Sequence, residues 1–237
     1  MSKFPHSKLI LSVPASALLA GFMMNAVAAP SLPEFSVADF ILGAAINNPY
    51  FPLVPGTTMK FLVKDGIRTA ENTVEVTHDT KTIGGVKCVM VHDTVSESGA
   101  VTEDTYDWYA QADDGTVWYF GEDTKEFKSS GQIDTKVSWE AGVNGAQAGI
   151  IMPGVAKPGE PYRQEYVAGK AEDIGQVVAL GESVTVPAGT FADVVQTKEW
   201  STLESGSEKK WYAPGAGVVR EESTAGEIVM LISITTK

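Results

Sequence analysis

Thr105-Tyr106-Asp107-Trp108-Tyr109-Ala110-Gln111-Ala112-Asp113-Asp114-Gly115-Thr116-Val117-Trp118-Tyr119-Phe120 is the stretch that decides the fold. Thr105 to Ala110 reads as a strand, because large apolar residues alternate across it. Tyr106 and Trp108 share one face and Tyr109 takes the other. Asp113-Asp114-Gly115 is a hairpin signal. Val117 to Phe120 is rich in the aromatic and β-branched residues that fit a pleated surface and reads as the returning strand.

The same style extends outward in both directions. Val74 and Val76 alternate with Thr73, Glu75 and Thr77, Gly84-Gly85 punctuates, and the Val-rich run Val86 to Val91 follows. Ser96-Glu97-Ser98-Gly99 reads as a turn. Later strands are predicted at 162–167, 176–180, 191–200, 209–213, 218–222 and 228–234. Residues 140–160, rich in Gly, Ala and Pro, read as a loop or linker. Before this β region, Ser36-Val37-Ala38-Asp39 has the form of a capping box, with Val37, Phe40, Ile41 and Ala44 at helical spacing. This predicts one short helix over 37–46, ended by Asn47-Asn48-Pro49. Pro49, Pro52 and Pro55 then keep the chain extended.

A shift of 103 positions lays Pro55-Gly56 on Pro158-Gly159, Gly66 on Gly169, Val74 on Val177 and Trp108-Tyr109-Ala110 on Trp211-Tyr212-Ala213. These matches suggest internal repeats at 55–157 and 158–237 within a single β domain at 29–237. The expected fold is mostly β: a curved antiparallel sheet of about ten strands in two similar halves, closed into a barrel or half-barrel. The 37–46 helix is its expected plug.

Lys3 and Lys8, the apolar run Leu9 to Ala20 and Asn25-Ala26-Val27-Ala28-Ala29-Pro30 follow the order of a secretory signal, with cleavage expected after Ala28. An uncleaved membrane anchor is the alternative, although Pro14, Ser16 and Asn25 interrupt the run. No later segment is long and apolar enough to span a membrane as a helix. The chain carries a net charge of −12, and loss of residues 1–28 makes it about −14. Such a charge repels nucleic acid and anionic lipid surfaces, so neither is an expected partner. The expected location is the periplasm or the medium. The lone cysteine, Cys88, excludes an internal disulfide and reads as a small buried apolar residue.

Four segments carry a family resemblance: Asn47-Asn48-Pro49-Tyr50-Phe51-Pro52-Leu53-Val54-Pro55-Gly56-Thr57-Thr58; Glu103 to Gln111; Gly115 to Glu122; and Trp211-Tyr212-Ala213-Pro214-Gly215-Ala216-Gly217-Val218-Val219. In these the chain resembles a family of uncharacterised exported bacterial β proteins. Val186-Pro187-Ala188-Gly189-Thr190-Phe191 with the later Trp-Tyr-Ala-Pro-Gly also resembles periplasmic β-clam domains. The resemblance implies the fold and an exported setting and supplies no mechanism. The family carries an aromatic residue after the Thr-Thr pair, where this chain has Met59.

Chemical motifs are sparse. His78 and His92 lie on neighbouring strands without a defined third ligand, and zinc spacings are absent. There is no Gly-x-Ser-x-Gly elbow, and the Gly142 to Gly149 run lacks a phosphate-loop ending. The acids Glu103, Asp104, Asp107, Asp113, Asp114, Glu122, Asp123 and Glu126 crowd one hairpin. Register decides their meaning. A two-residue turn puts Asp107 opposite Glu122, and a three-residue turn puts it opposite Gly121. Opposed like charges call for a cation or a proton, which makes Asp104, Asp107 and Glu122 candidate calcium ligands. The other candidate site is aromatic: Trp108, Trp118, Phe120 and Trp211 on one side of the sheet as the lining for an apolar ligand.

The leading expectation is a non-catalytic envelope protein that binds an apolar, lipid-like or amphipathic ligand or a partner segment, without a cofactor. The alternatives are a glycan hydrolase using Asp104, Asp107 or Glu122, and a calcium-stabilised structural or adhesion module.

Overall fold

The structure is a computed structural model that describes residues 29–40 and 45–237. The signal expected over 1–28 lies outside the described residues. Among the described residues fifteen strands follow one another: β1 (Thr57–Asp65), β2 (Arg68–Ile83), β3 (Val86–Glu97), β4 (Ala100–Gln111), β5 (Val117–Phe127), β6 (Ile133–Asp134), β7 (Trp139–Glu140), β8 (Gln147–Met152), β9 (Tyr162–Arg163), β10 (Glu165–Tyr166), β11 (Asp173–Val186), β12 (Gly189–Ser201), β13 (Glu208–Ala213), β14 (Gly217–Ser223) and β15 (Glu227–Thr236). All pair antiparallel, in the order β10-β8-β5-β4-β3-β2-β1-β15-β14-β13-β12-β11-β9, with β6 and β7 attached to β5. The two ends of this path, β9 and β10, are separated by Gln164 alone. The sheet therefore curls back on itself into a nearly closed barrel, which leaves few open edges.

The strand count exceeds the expected ten because the Gly- and Ala-rich stretch read as a linker contributes β8, and the short β6, β7, β9 and β10 fill in around it. At this seam the residues have to be small. A Cβ on Gly149 would stand 2.4 Å from the carbonyl carbon of Gln164, and one on Gly175 would stand 2.9 Å from the ring of Tyr162. The low side-chain content that resembled a linker is what lets the barrel close.

Register within the decisive hairpin combines both alternatives read from the sequence. Asp113–Gly115 is a three-residue turn: Gly115 N donates to Ala112 O at 2.9 Å and Ala112 N to Thr116 O at 2.8 Å. A bulge then follows, since Trp108 pairs with Gly121 while Tyr109 pairs with Tyr119. The extra residue, Phe120, moves the register by one and returns Asp107 to a position opposite Glu122.

The expected 37–46 helix is not formed in the described residues. Ser36 caps a single 3-10 turn, Val37–Asp39, none of whose residues is buried, and Phe40 is already extended. Its neighbours explain the stop. Phe35 and Phe40 lie 5.8 and 6.0 Å from the ring of Trp118, and 5.8 and 5.7 Å from that of Phe120. The capped turn brings the rings of Phe35 and Phe40 to 5.8 Å from each other on this outer face, and their shared packing on Trp118 and Phe120 takes the place of a continuing helix. The plug is instead the proline-flanked loop 46–53, which sends Ile46, Phe51 and Leu53 into the main core. Asn48 fixes it: its Nδ2 donates to Gly115 O at 3.0 Å and Pro153 O at 3.1 Å, and its Oδ1 accepts from Tyr50 N at 2.9 Å. Gly215 N donates to Pro49 O at 2.8 Å. The segments that carry the family resemblance thus meet at one end of the barrel.

Candidate functional site

Alternation along β3, β4 and β5 divides their side chains between two faces. Inside the barrel lie Val91, Asp93 and Val95 of β3, then Glu103, Thr105, Asp107 and Tyr109 of β4. From β5 come Tyr119, Glu122, Thr124 and Glu126. The buried residues of these three strands include five acids (Asp93, Glu103, Asp107, Glu122 and Glu126) and no base.

Short hydrogen bonds hold the polar part. Tyr119 OH donates to Asp107 Oδ1 at 2.7 Å, and Thr124 Oγ1 to Glu122 Oε2 at 2.9 Å. Asn72 Nδ2 donates to Asp93 Oδ1. The Tyr109 hydroxyl is different: the residue is buried and its oxygen makes no hydrogen bond. Burial, followed by the charges of Asp107, Glu122 and Asp93, holds its pKa well above the usual phenol value. Tyr109 stacks on Tyr119 with centroids 5.0 Å apart, and Phe51 of the plug lies 5.4 Å away.

A cavity of about 30 Å³ opens between the plug and the barrel wall, lined chiefly by Phe51, Leu53, Val74, Tyr109 and Val218 with Asp93 and Asp107. Met59 also lines it. It has room for one or two waters. Three of the family-like segments contribute to its wall: the plug through Phe51 and Leu53, β4 through Asp107 and Tyr109, and the 213–217 turn through Ala216 and Gly217. Reading for a single site overlooked Asp93 and Phe51. The signal for Asp93 was available, since it stands two residues after Val91 and so shares its buried face.

The residues selected from sequence separate as follows. Asp107 and Glu122 are brought together inside the barrel. Asp104 is on the outer face, where its Oδ1 lies 2.7 Å from His92 Nε2. His92 stacks on Tyr106 at 4.4 Å and pairs across the sheet with Glu75. Among the described residues, no three His, Cys, Asp or Glu side chains are grouped so as to hold a metal ion. Trp108, Trp118 and Phe120 form an outer apolar cluster with Cys88, covered by Phe40. Trp211 lies apart from it: its indole N–H donates to Glu182 Oε2 at 2.8 Å, and the Arg220 guanidinium sits 5.8 Å over its ring.

Cys88 is fully buried in that outer cluster, and burial pushes its thiol up to about 12. The native protein is therefore expected to leave a disulfide-exchange reagent unreacted in mildly alkaline buffer and to consume one equivalent after denaturation. Rapid reaction of the folded chain would show that the cluster opens readily.

No family model matches the chain, and no curated protein matches its sequence. Two solved structures are similar to it. One is a candidate exported protein with a YmcC-like fold from Bacteroides fragilis, at 17% identity and a TM-score of 0.47, covering 79% of this chain and 99% of that one. The other is a candidate lipoprotein from Parabacteroides distasonis, at 15% identity and a TM-score of 0.41, with the same coverage.

The second half of the barrel has its own polar centre. Lys210 is fully buried, with its Nζ 3.3 Å from Glu199, 3.0 Å from Glu208 and 3.8 Å from Glu221. Tyr212 OH and Thr197 Oγ1 both donate to Glu199 Oε1, at 3.1 and 2.7 Å. Lys209-Lys210 opens the strand predicted over 209–213. The spacing of two from Tyr212 is the signal that turns Lys210 inward.

Proposed function

We propose that the chain is a non-catalytic envelope protein whose barrel binds an apolar or amphipathic ligand at the plugged end. The export part of this reading rests on the basic, apolar and small-residue order of residues 1–28. One observation carries the binding part: an apolar cavity lies between a loop that is separate from the sheet and a wall that holds two carboxylates. Ordinary ligand pockets are roughly ten times larger than this cavity. Entry of a ligand therefore displaces Phe51 and Leu53, while the bonds of Asn48 keep the base of the loop in place. The outer cluster of Trp108, Trp118 and Phe120 is the weaker candidate, because Phe35 and Phe40 already lie on it.

The test is native mass spectrometry of protein taken from its own export compartment, compared with the denatured mass. A reproducible excess the size of a small lipid is expected, and Ala216→Leu, which adds bulk to the cavity wall, is expected to abolish it. A native mass equal to the chain alone, with no gain on incubation with alkyl ligands, would overturn the reading.

A further inference from the structure

We infer that the seam between β8 and β10 is a gate: this short contact parts while the rest of the barrel stays folded, and its parting admits water to the buried polar centre around Lys210. Gln164 carries the inference. It joins β9 to β10, is fully buried, and neither polar atom of its carboxamide has a hydrogen-bond partner. The hydroxyl of Tyr162, two residues earlier, is likewise buried without a partner. Buried polar groups are ordinarily paired. Both groups therefore raise the free energy of the closed seam, and water pairs both once it opens.

Gly175 fixes where they lie. A Cβ there would stand 2.9 Å from Cε2 of Tyr162 and 3.0 Å from Cδ and Nε2 of Gln164. Gly175 pairs with Tyr162 on one side and with Glu199 on the other, and Glu199 is one of the carboxylates around Lys210. The row Tyr162, Gly175, Glu199 thus leads from the seam to the lysine, with no side chain at its middle position. Burial, then the charge of Glu199, holds the Tyr162 phenol above its usual pKa, which agrees with that placement.

The two sides of the seam are held unequally. Towards β11, the β9 ladder is reinforced by Gln164 N, which donates to Asp173 O at 2.9 Å, and by Arg163 Nη1, which donates to Glu172 O at 3.1 Å. Towards β8, Glu165 and Tyr166 pair with Ala148 and Gln147, and Lys170 donates to Ser138 O from an exposed position. The weaker side is the one that opens: β10 leaves β8 and stays with β11.

Hydrogen exchange of the full mature chain, followed at low urea concentrations, tests the gate. The amides of the β8–β10 ladder are expected to exchange about a hundredfold or more faster than those of the β2–β3 ladder, at a rate that low urea hardly changes, as local opening does. Gln164→Leu, which removes the unpaired carboxamide, is expected to slow that exchange by about tenfold. Tyr162→Phe, which removes one hydroxyl and keeps the shape, is expected to slow it to a smaller degree. Both variants should unfold at a higher urea concentration than the wild type. Ladder amides that exchange only through global unfolding would overturn the gate. Faster exchange in both variants would overturn it too, because the carboxamide and the hydroxyl would then be stabilising the closed seam. The comparison of the two ladders uses the wild-type chain, and Tyr162→Phe is the gentler change, so the matter is decided even where Gln164→Leu fails to fold.

Discussion

Replacing Lys210 by methionine is expected to cost the fold about 3–5 kcal/mol near neutral pH, because removal of one partner leaves the others as uncompensated buried charge. Lys210 lies on β13 between Thr197 of β12 and Glu221 of β14, and carboxylates reach it from both neighbouring strands and from Glu208 on its own. Burial alone would lower the lysine pKa, but Glu199, Glu208 and Glu221 outweigh it and hold it well above the usual value. The ammonium stays charged across the accessible range. Among the acids, burial raises Glu221 and Glu208 above the ordinary carboxylate value even with Lys210 present.

The sign of the pH dependence follows from these directions. A carboxyl whose pKa is raised on folding binds its proton more tightly in the native state. Its contribution to stability therefore falls as pH rises from the unfolded value through the folded one. Without the lysine, both acids are raised further, so the deficit of Lys210→Met is expected to be greatest near neutrality. It should shrink as the solution is acidified toward the ordinary carboxylate pKa of 4.5. Urea unfolding of both proteins at neutral and acid pH measures this. An equal deficit at both would mean that the lysine acts through its packing and not its charge.

Much of the sheet was legible because its chemistry is local. Alternation, Gly84-Gly85 and the Asp113–Gly115 turn all act over a few residues, and Gly84 and Gly85 do adopt the positive φ angles of 55° and 89° that a tight hairpin needs. The opposition of Asp107 and Glu122 was legible only as one of two alternatives, because a bulge at Phe120 leaves little mark on composition. The helix was misread for the opposite reason. Its N-cap signal is genuine, with Ser36 Oγ accepting from Ala38 N at 3.2 Å, but Phe35 and Phe40 are drawn to aromatics eighty residues further on. The plug, the inward turn of Lys210 and the closure through Gln164 depend on which strands meet, and no short window carries that information. The 103-residue offset is the exception. We propose that the two halves arose by duplication, and strand limits support it: the offset carries β3 onto β12 with the same first residue, and β2 onto β11 with the same last one. Both hairpins also break register at matching places, between Trp108 and Tyr109 and between Trp211 and Tyr212.

Closure of the barrel leads to the second large effect. Gly149→Ala is expected to destabilise the protein by about 3 kcal/mol, at the upper end of overpacking penalties. The added methyl would run into the backbone of the Arg163–Gln164 segment: 2.4 Å from the carbonyl carbon of Gln164 and 2.6 Å from the carbonyl oxygens of Arg163 and Gln164. None of these atoms can rotate away. Gly149 pairs with Tyr119 on one side, and its neighbour Ala148 pairs with Glu165 on the other, so relief requires β10 to part from β8. Those two strands share a two-residue ladder, whereas β2 and β3 share a long one. The strain should therefore appear first as local opening. Hydrogen exchange is expected to quicken at Glu165 and Tyr166 while the amides of β2 and β3 keep their protection. Gly159→Ala is the control, since a Cβ there would meet nothing closer than 3.8 Å. If the two variants unfold at the same urea concentration, the seam does not hold the barrel closed. If Gly149→Ala alone loses stability and exchanges at β10, the closure rests on a single point of close backbone approach. Gly149 is then a condition of the fold, because any side chain at that point would hold the two edges of the sheet apart.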